Sequence, residues 1–256
     1  MTLSVTTLHL KLALQRPGCP ICRVRRESEA LIHFFLYENI NDLDTRIHLI
    51  ASQGLCPTHT WQAFQREVTG FGDGLGNSIV YADLCQRVRL ELERYRPSAN
   101  GHTRSRLVGW LDRMMRWLTS HHVLSDLPAP LTPHESCRVC ETGEKSAESN
   151  LIWLLEACTG DDPLFRELYA ASSGLCLPHL RQALAVVKSQ QVQGLDFILQ
   201  TDVRRLAELT HHLNEYGRKH AWDHRDEPLT ADERSSVKRA VSFFGGLAPD
   251  DNPARR

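Results

Sequence analysis

The 256-residue chain carries 30 Lys and Arg against 31 Asp and Glu, a formal net charge of −1, so bulk charge does not drive it onto polyanions. Hydrophobic residues at 41% and charged residues at 24% exclude disordered, collagen-like and membrane compositions and leave enough apolar material for a core. No uninterrupted apolar run of roughly eighteen residues occurs, and the start MTLSVTTLHLKLALQRPGC lacks a charged region followed by a small-residue cleavage site, which gives the expectation of a cytoplasmic protein with no membrane partner. In a reducing compartment, eight cysteines point to metal binding or redox chemistry before disulfides.

One pattern organises the chain and occurs twice. CPIC at Cys19 to Cys22 is followed by LYEN and SQGLCPTHTWQAF; CRVC at Cys137 to Cys140 is followed by LLEA and SSGLCLPHLRQAL. Gly54-Leu55-Cys56 and His59 in the first copy correspond to Gly174-Leu175-Cys176 and His179 in the second.

Both copies read as helical. After CPIC, Val24, Leu31, Phe34, Phe35 and Leu36 form an apolar helical face. A second helix over about 42–53 places Leu43, Ile47 and Ile50 on one face, with Gly54 as its C′ residue. Pro57 can open a third helix with Cys56 at its cap. GFGDGLGN at 70–77 lacks the strand and the Lys-Ser/Thr of a nucleotide loop, and reads as a flexible connection before a helix over 76–95. RPSANGHTRSR breaks the chain before a helix over 107–122, and the three prolines of LPAPLTPHES mark a boundary. The expected division is residues 1–127 and 128–256. The second copy repeats the plan over 149–158, 163–173 and from Pro178. Leu195, Leu199, Val203, Leu206, Leu213 and Tyr216 follow helical spacing in a long helix ending near Gly217, and a short helix opens near Thr230 or Ala231.

A Cys-x-x-Cys turn supplies half of a tetrahedral metal site, and Cys-x-x-His can supply the rest. Thirty-three residues lie between Cys22 and Cys56 and thirty-five between Cys140 and Cys176. Two helices of about 12–15 residues with a turn between them would travel out and back over that length at about 1.5 Å per residue. The expected fold is therefore all-α, with tandem helical-hairpin repeats each closed by a Cys3His metal site, plus long packing helices. Cys19, Cys22, Cys56 and His59 form the first ligand set, and Cys137, Cys140, Cys176 and His179 the second. Zinc, two ions in all, is the expected metal, with an iron–sulfur cluster as the alternative. Four protein ligands leave no open position for substrate, so both sites read as structural and no catalytic residue is assigned. Arg23, Arg25 and Arg138 stand near enough in sequence to offset thiolate charge.

Other residues have plainer readings. Cys85 and Cys158 lack counterparts and read as buried small apolar residues. Arg87, Arg89, Arg94, Arg96, Arg104 and Arg106 make a local basic excess that is a solvated, salt-bridged face or, alternatively, a contact for nucleic acid. Trp110 and Trp117, seven apart, read as core. His220, Asp223, His224 and Asp226 read as an exposed hydrogen-bonded cluster, and the adjacent pairs His121-His122 and His211-His212 do not chelate as pairs on a helix.

CPICR, LYENIND and ASQGLCPTHTW, with the tail segments EYGRKHAWDHRDEP and SVKRAVSFFGG, resemble over nearly the whole chain an uncharacterised bacterial family catalogued as a domain of unknown function. The resemblance implies a mostly helical cytoplasmic protein and brings no activity, substrate or partner. Closed metal sites without a catalytic constellation give the expectation of a non-enzymatic zinc-stabilised scaffold or adaptor acting through protein–protein contacts. The alternatives are a nucleic-acid-associated regulator using the Arg-rich connector, or a redox or iron–sulfur sensor.

Overall fold

A computed structural model describes residues 5–94, 133–160 and 163–248. Among them the regular structure is helical, with no strand. The helices are α1 (Val5–Leu14), α2 (Pro20–Glu38), α3 (Leu43–Ala51), α4 (Pro57–Phe71), α5 (Leu75–Arg94), α6 (Arg138–Thr159), α7 (Pro163–Ala171), α8 (Leu177–Val186), α9 (Val192–Lys219) and α10 (Ala231–Gly245), with a 3₁₀ turn at Ser189–Gln191. No described helix is long and apolar enough to cross a membrane.

The starts of the helices follow local chemistry. Asp42 caps α3 by accepting from the Thr45 amide at 3.0 Å. Cys56 and Cys176 are the N-cap residues of α4 and α8, each with proline in the first turn, where a missing N–H costs nothing. Thr230 and Glu233 form a reciprocal capping box at α10.

The chain groups into two compact units: Met1–Ile32 with Glu141–Arg256, and His33–Cys140. These do not follow the division at residue 127 suggested by the proline-rich boundary. In the first unit, Leu10 and Leu14 of α1, Leu151, Leu154 and Leu155 of α6, Tyr169 of α7 and Ile198 of α9 build one continuous core. Residues of α10 pack against α9 and α8. In the second unit a smaller core gathers Leu49, Val80 and Leu84 with Ile40, Ile50, Leu55 and Tyr81.

Several expectations are corrected. Leu43 and Ile47 are exposed, and α3 buries Thr45 and Leu49 instead. Leu31 and Val203 also face outward. Cys85 is exposed, whereas Cys158 is fully buried and burial pushes its thiol up to about 12. The segment 70–77 is mostly helical rather than a loose connection: Gly72 closes α4 in the left-handed conformation at φ 80°, and buried Glu67 accepts from the amides of Gly76 and Asn77 in the first turn of α5. Gly54 lies one position beyond its expected place, its amide reaching the Leu49 carbonyl at 2.7 Å after Gln53 at φ 54°. The helix expected over 107–122, with Trp110, Trp117 and His121-His122, lies outside the described residues.

Candidate metal centres

In the first unit the turn into α2 presents Cys19 and Cys22, and the start of α8 presents Cys176 and His179. His179 Nδ1 lies 3.1 Å from Cys176 Sγ, 3.3 Å from Cys22 Sγ and 3.5 Å from Cys19 Sγ, and the Cys22 and Cys176 sulfurs are 3.7 Å apart. In the second unit the start of α4 presents Cys56 and His59, and the turn into α6 presents Cys137 and Cys140. His59 Nδ1 lies 3.2 Å from Cys56 Sγ, 3.3 Å from Cys140 Sγ and 3.5 Å from Cys137 Sγ, with Cys56 and Cys140 sulfurs 3.6 Å apart. Within each group all donor atoms fall within 4.8 Å of one another.

These separations fit one tetrahedral ion. Zinc–sulfur bonds of about 2.3 Å and zinc–nitrogen bonds of about 2.0 Å make a tetrahedron with edges of about 3.8 Å between sulfurs and about 3.5 Å between sulfur and nitrogen. Two groups of three thiols and one imidazole therefore stand ready to hold a metal ion each.

All eight expected residues fall in these two groups, but their partnership differs from the expected one. Each group combines the Cys-x-x-Cys of one copy with the Cys-x-x-His of the other, so Cys19 and Cys22 do not meet Cys56 and His59. The reason is helix length. The 19 residues of α2 rise about 28 Å while the nine of α3 return only about 14 Å at 1.5 Å per residue. The second copy is as unequal, with 22 residues in α6 against nine in α7. A hairpin with such unequal arms does not bring its ends back together.

The protein already polarises the first group. Burial, with help from Cys176 and Cys22, drives the Cys19 thiol well above its ordinary value. Cys22 is held far below it by hydrogen bonds from Cys176 and Cys19, against the opposing effect of burial. Burial works against protonated His179, but the neighbouring Cys176 and Cys22 sulfurs outweigh it and raise the imidazole to about 9. In the second group burial raises Cys137, yet hydrogen bonds from His59 and the surrounding amides bring it down to about 6; burial and the Cys56 thiol push Cys140 up to about 12. Each group thus mixes a stabilised thiolate with protonated neighbours, and a cation binds by displacing those protons.

Surrounding residues hold the ligands in place. Tyr169 donates its hydroxyl to Asp202 at 2.7 Å and accepts the Leu175 amide at 3.3 Å, one residue before Cys176. Arg205 completes the buried network by pairing with Asp202 at 2.5 Å. Gly174, at φ 74°, fits against Asp202 and Arg205 where a Cβ would stand 2.6 Å from each. In the second unit the amides of His134 and Glu135 both reach the Ala51 carbonyl, and Glu135 pairs with His48 at 2.5 Å, fixing the approach to Cys137. The ring of buried His33 stands edge-on to His59 at 5.5 Å. None of these supports was named from the sequence; only the Gly-Leu-Cys repetition pointed near them.

The remaining expected residues separate cleanly. Arg23 donates to the Pro17 carbonyl and Arg25 pairs with Glu29 at 2.9 Å. Arg87 pairs with Asp83 and Arg89 with Glu93, each one helical turn apart. Arg94 ends α5, while Arg96, Arg104 and Arg106 lie outside the described residues. His224 contacts Asp223 and Glu227, and His220 the Tyr216 carbonyl, in an exposed cluster. His211 and His212 are neighbours on α9 with ring centroids 5.7 Å apart.

Comparison with known proteins adds kinship without an activity. A bacterial relative from Caldicellulosiruptor sp. (strain Rt8B.4), described as "Uncharacterized 23.9 kDa protein in xynA 3'region", is 24% identical over 231 residues, which cover 89% of this chain and 95% of the relative. No solved structure matches. The profile of a family described as "Family of unknown function (DUF6062)" matches residues 1–251.

Proposed function

The chain belongs to this family of unknown function, and from its geometry we propose that it is a non-enzymatic helical scaffold stapled by two zinc ions and acting through protein contacts. The observation that carries the reading is the pair of four-donor groups, each with every donor within 4.8 Å of the others. That spacing encloses one ion, whereas an iron–sulfur cluster distributes its ligands over several irons. Four protein donors complete a tetrahedral shell, leaving zinc no position for a reacting water.

Each ion acts as a long-range cross-link. The first joins sulfurs 154 positions apart in the chain, the second sulfurs 84 apart. A covalent link closing a loop of about 100 residues is worth roughly 4–5 kcal/mol of chain entropy, and structural zinc contributes roughly 10–16 kcal/mol in small metal-dependent folds. Against a typical net stability of about 5–15 kcal/mol, these ions decide whether the helices keep their arrangement. Each centre takes two ligands from either sequence copy, so each ion joins segments far apart in the chain.

Apolar residues at helical spacing support the contact role. Trp61, Phe64 and Val68 stand exposed on α4, and Val237, Val241 and Phe244 on α10.

Elemental analysis of untagged protein, with an optical spectrum taken after anaerobic purification, tests the metal assignment. Two equivalents of zinc and no charge-transfer band are expected. Iron with such a band, or a chain that folds stably without metal, overturns the proposal.

A further inference from the structure

Resting on the reading that both groups bind zinc, we propose that the second centre exchanges its metal while the first is held shut by a C-terminal latch. Exchange at a four-donor ion begins when a competing ligand approaches and one protein donor swings away. Its rate follows the exposure of the sulfurs and the freedom of the segments carrying them.

The first centre is closed on both counts. Cys19, Cys176 and His179 are only 4%, 2% and 6% exposed. A cleft of about 680 Å³ beside α9 and α10 is lined in part by Cys19, Cys176 and Leu247, yet both cysteines keep that low exposure. Over Cys22, the partly exposed ligand, lies the Gly245-Gly246-Leu247 turn that ends α10. Gly246 adopts φ 78°, ψ −156°, a region open essentially to glycine alone; a Cβ there would stand 3.1 Å from Cys22 Sγ and 4.0 Å from Cys176 Sγ. Leu247 is buried against Gly18, where a Cβ would come within 2.8 Å of its Cδ1. Arg26 fastens the turn by donating to the carbonyls of Leu247 and Ala248. The Gly18 amide donates to Ser173 Oγ at 2.9 Å, tying the approach to Cys19 to the segment that delivers Cys176.

Among the described residues, no corresponding glycine turn stands over the second centre. Cys56 and Cys140 are both partly exposed, whereas His59 is buried. SFFGGL occurs once in the sequence, so this latch segment has no sequence counterpart beside the second site. The same four donor types therefore serve two tasks: a permanent staple and an exchangeable ion through which metal supply can tune the fold of the second unit.

The test follows zinc release from the full chain into an excess of a chromogenic pyridylazo chelator. Two equivalents should leave in two equal phases with rates at least about tenfold apart, a barrier difference of about 1.4 kcal/mol. Cys137→Ser should abolish the fast phase, and Cys22→Ser the slow one. Arg26→Ala and Leu247→Ala, which keep every ligand, should accelerate the slow phase alone. Release of both equivalents in one phase, a fast phase that survives Cys137→Ser, or a slow phase untouched by both latch variants overturns the latch. Fewer than two zinc equivalents before chelator is added overturns instead the metal reading on which it rests.

Discussion

Ser28 and Ser146, which occupy the same position after the Cys-x-x-Cys of the two copies, hydrogen-bond to each other through their hydroxyls at 2.7 Å. The contact ties α2 to α6 within the first unit, six residues beyond the second cysteine of each Cys-x-x-Cys. Each donor group likewise draws its Cys-x-x-Cys from one sequence copy and its Cys-x-x-His from the other.

Metal stoichiometry in double variants reads this partnership directly. Cys22→Ser with Cys176→Ser should lose one equivalent of zinc, since both belong to one centre. Cys22→Ser with Cys56→Ser should lose both. Pairing within a copy would reverse the two results in elemental analysis.

Tyr169→Phe removes the hydroxyl that joins Asp202 to the Leu175 amide and leaves both without that partner. Urea denaturation should show a loss of about 1–3 kcal/mol, while zinc content stays at two equivalents. An unchanged midpoint would sink the claim that this network positions Cys176.

Two glycines of α9 should respond in opposite directions. At Gly194 a Cβ would lie 2.2 Å from the Leu155 carbonyl and 2.5 Å from Thr159 Oγ1, so Gly194→Ala should cost about 1–3 kcal/mol by forcing α9 away from α6. At Gly217 nothing lies within 4 Å, and Gly217→Ala should stabilise by about 0.5–1 kcal/mol through helix propensity. Thermal melts of the pair separate close packing from propensity.

Acid sensitivity of the α10 docking should run through Glu233. Lys219, at 2.9 Å from both carboxylate oxygens, holds this group below its ordinary value of 4.5, with help from the Thr230 amide. The unfolded chain then takes up the proton first as pH falls, so the stabilisation is complete above about pH 5 and is lost on acidification through the lowered folded value. Glu233→Gln should lower the urea midpoint at neutral pH and flatten its decline across that acid range. An unaltered acid limb would show that the ion pair contributes nothing to it.

Much of the architecture was legible because it is local. Cys56 and Cys176 as caps followed by proline, Asp42 and Thr230 as helix starters, and the period of α9 depend on residues within a turn or two of each other. The buried face of α3 was not. Leu43 and Ile47 have the right spacing for a core face, yet Thr45 and Leu49 are the buried residues, and Leu49 joins Val80 and Leu84 of α5 in the core, so the packing of α5 and not the spacing decides the face. Glu67 was equally hidden: its role as acceptor for Gly76 and Asn77 depends on the turn at Gly72, not on any motif.

The amino-acid order alone determined which eight side chains gather as candidate donors, since paired cysteines and a Cys-x-x-His at a helix start can present their donors only on one short stretch of backbone. It also determined that the chain is helical. What the tertiary structure decided is which half-site closes with which. Thirty-odd intervening residues permit either partnership, and the unequal arms of α2 and α3, and of α6 and α7, combine with the packing of the helices to leave only the crossed one.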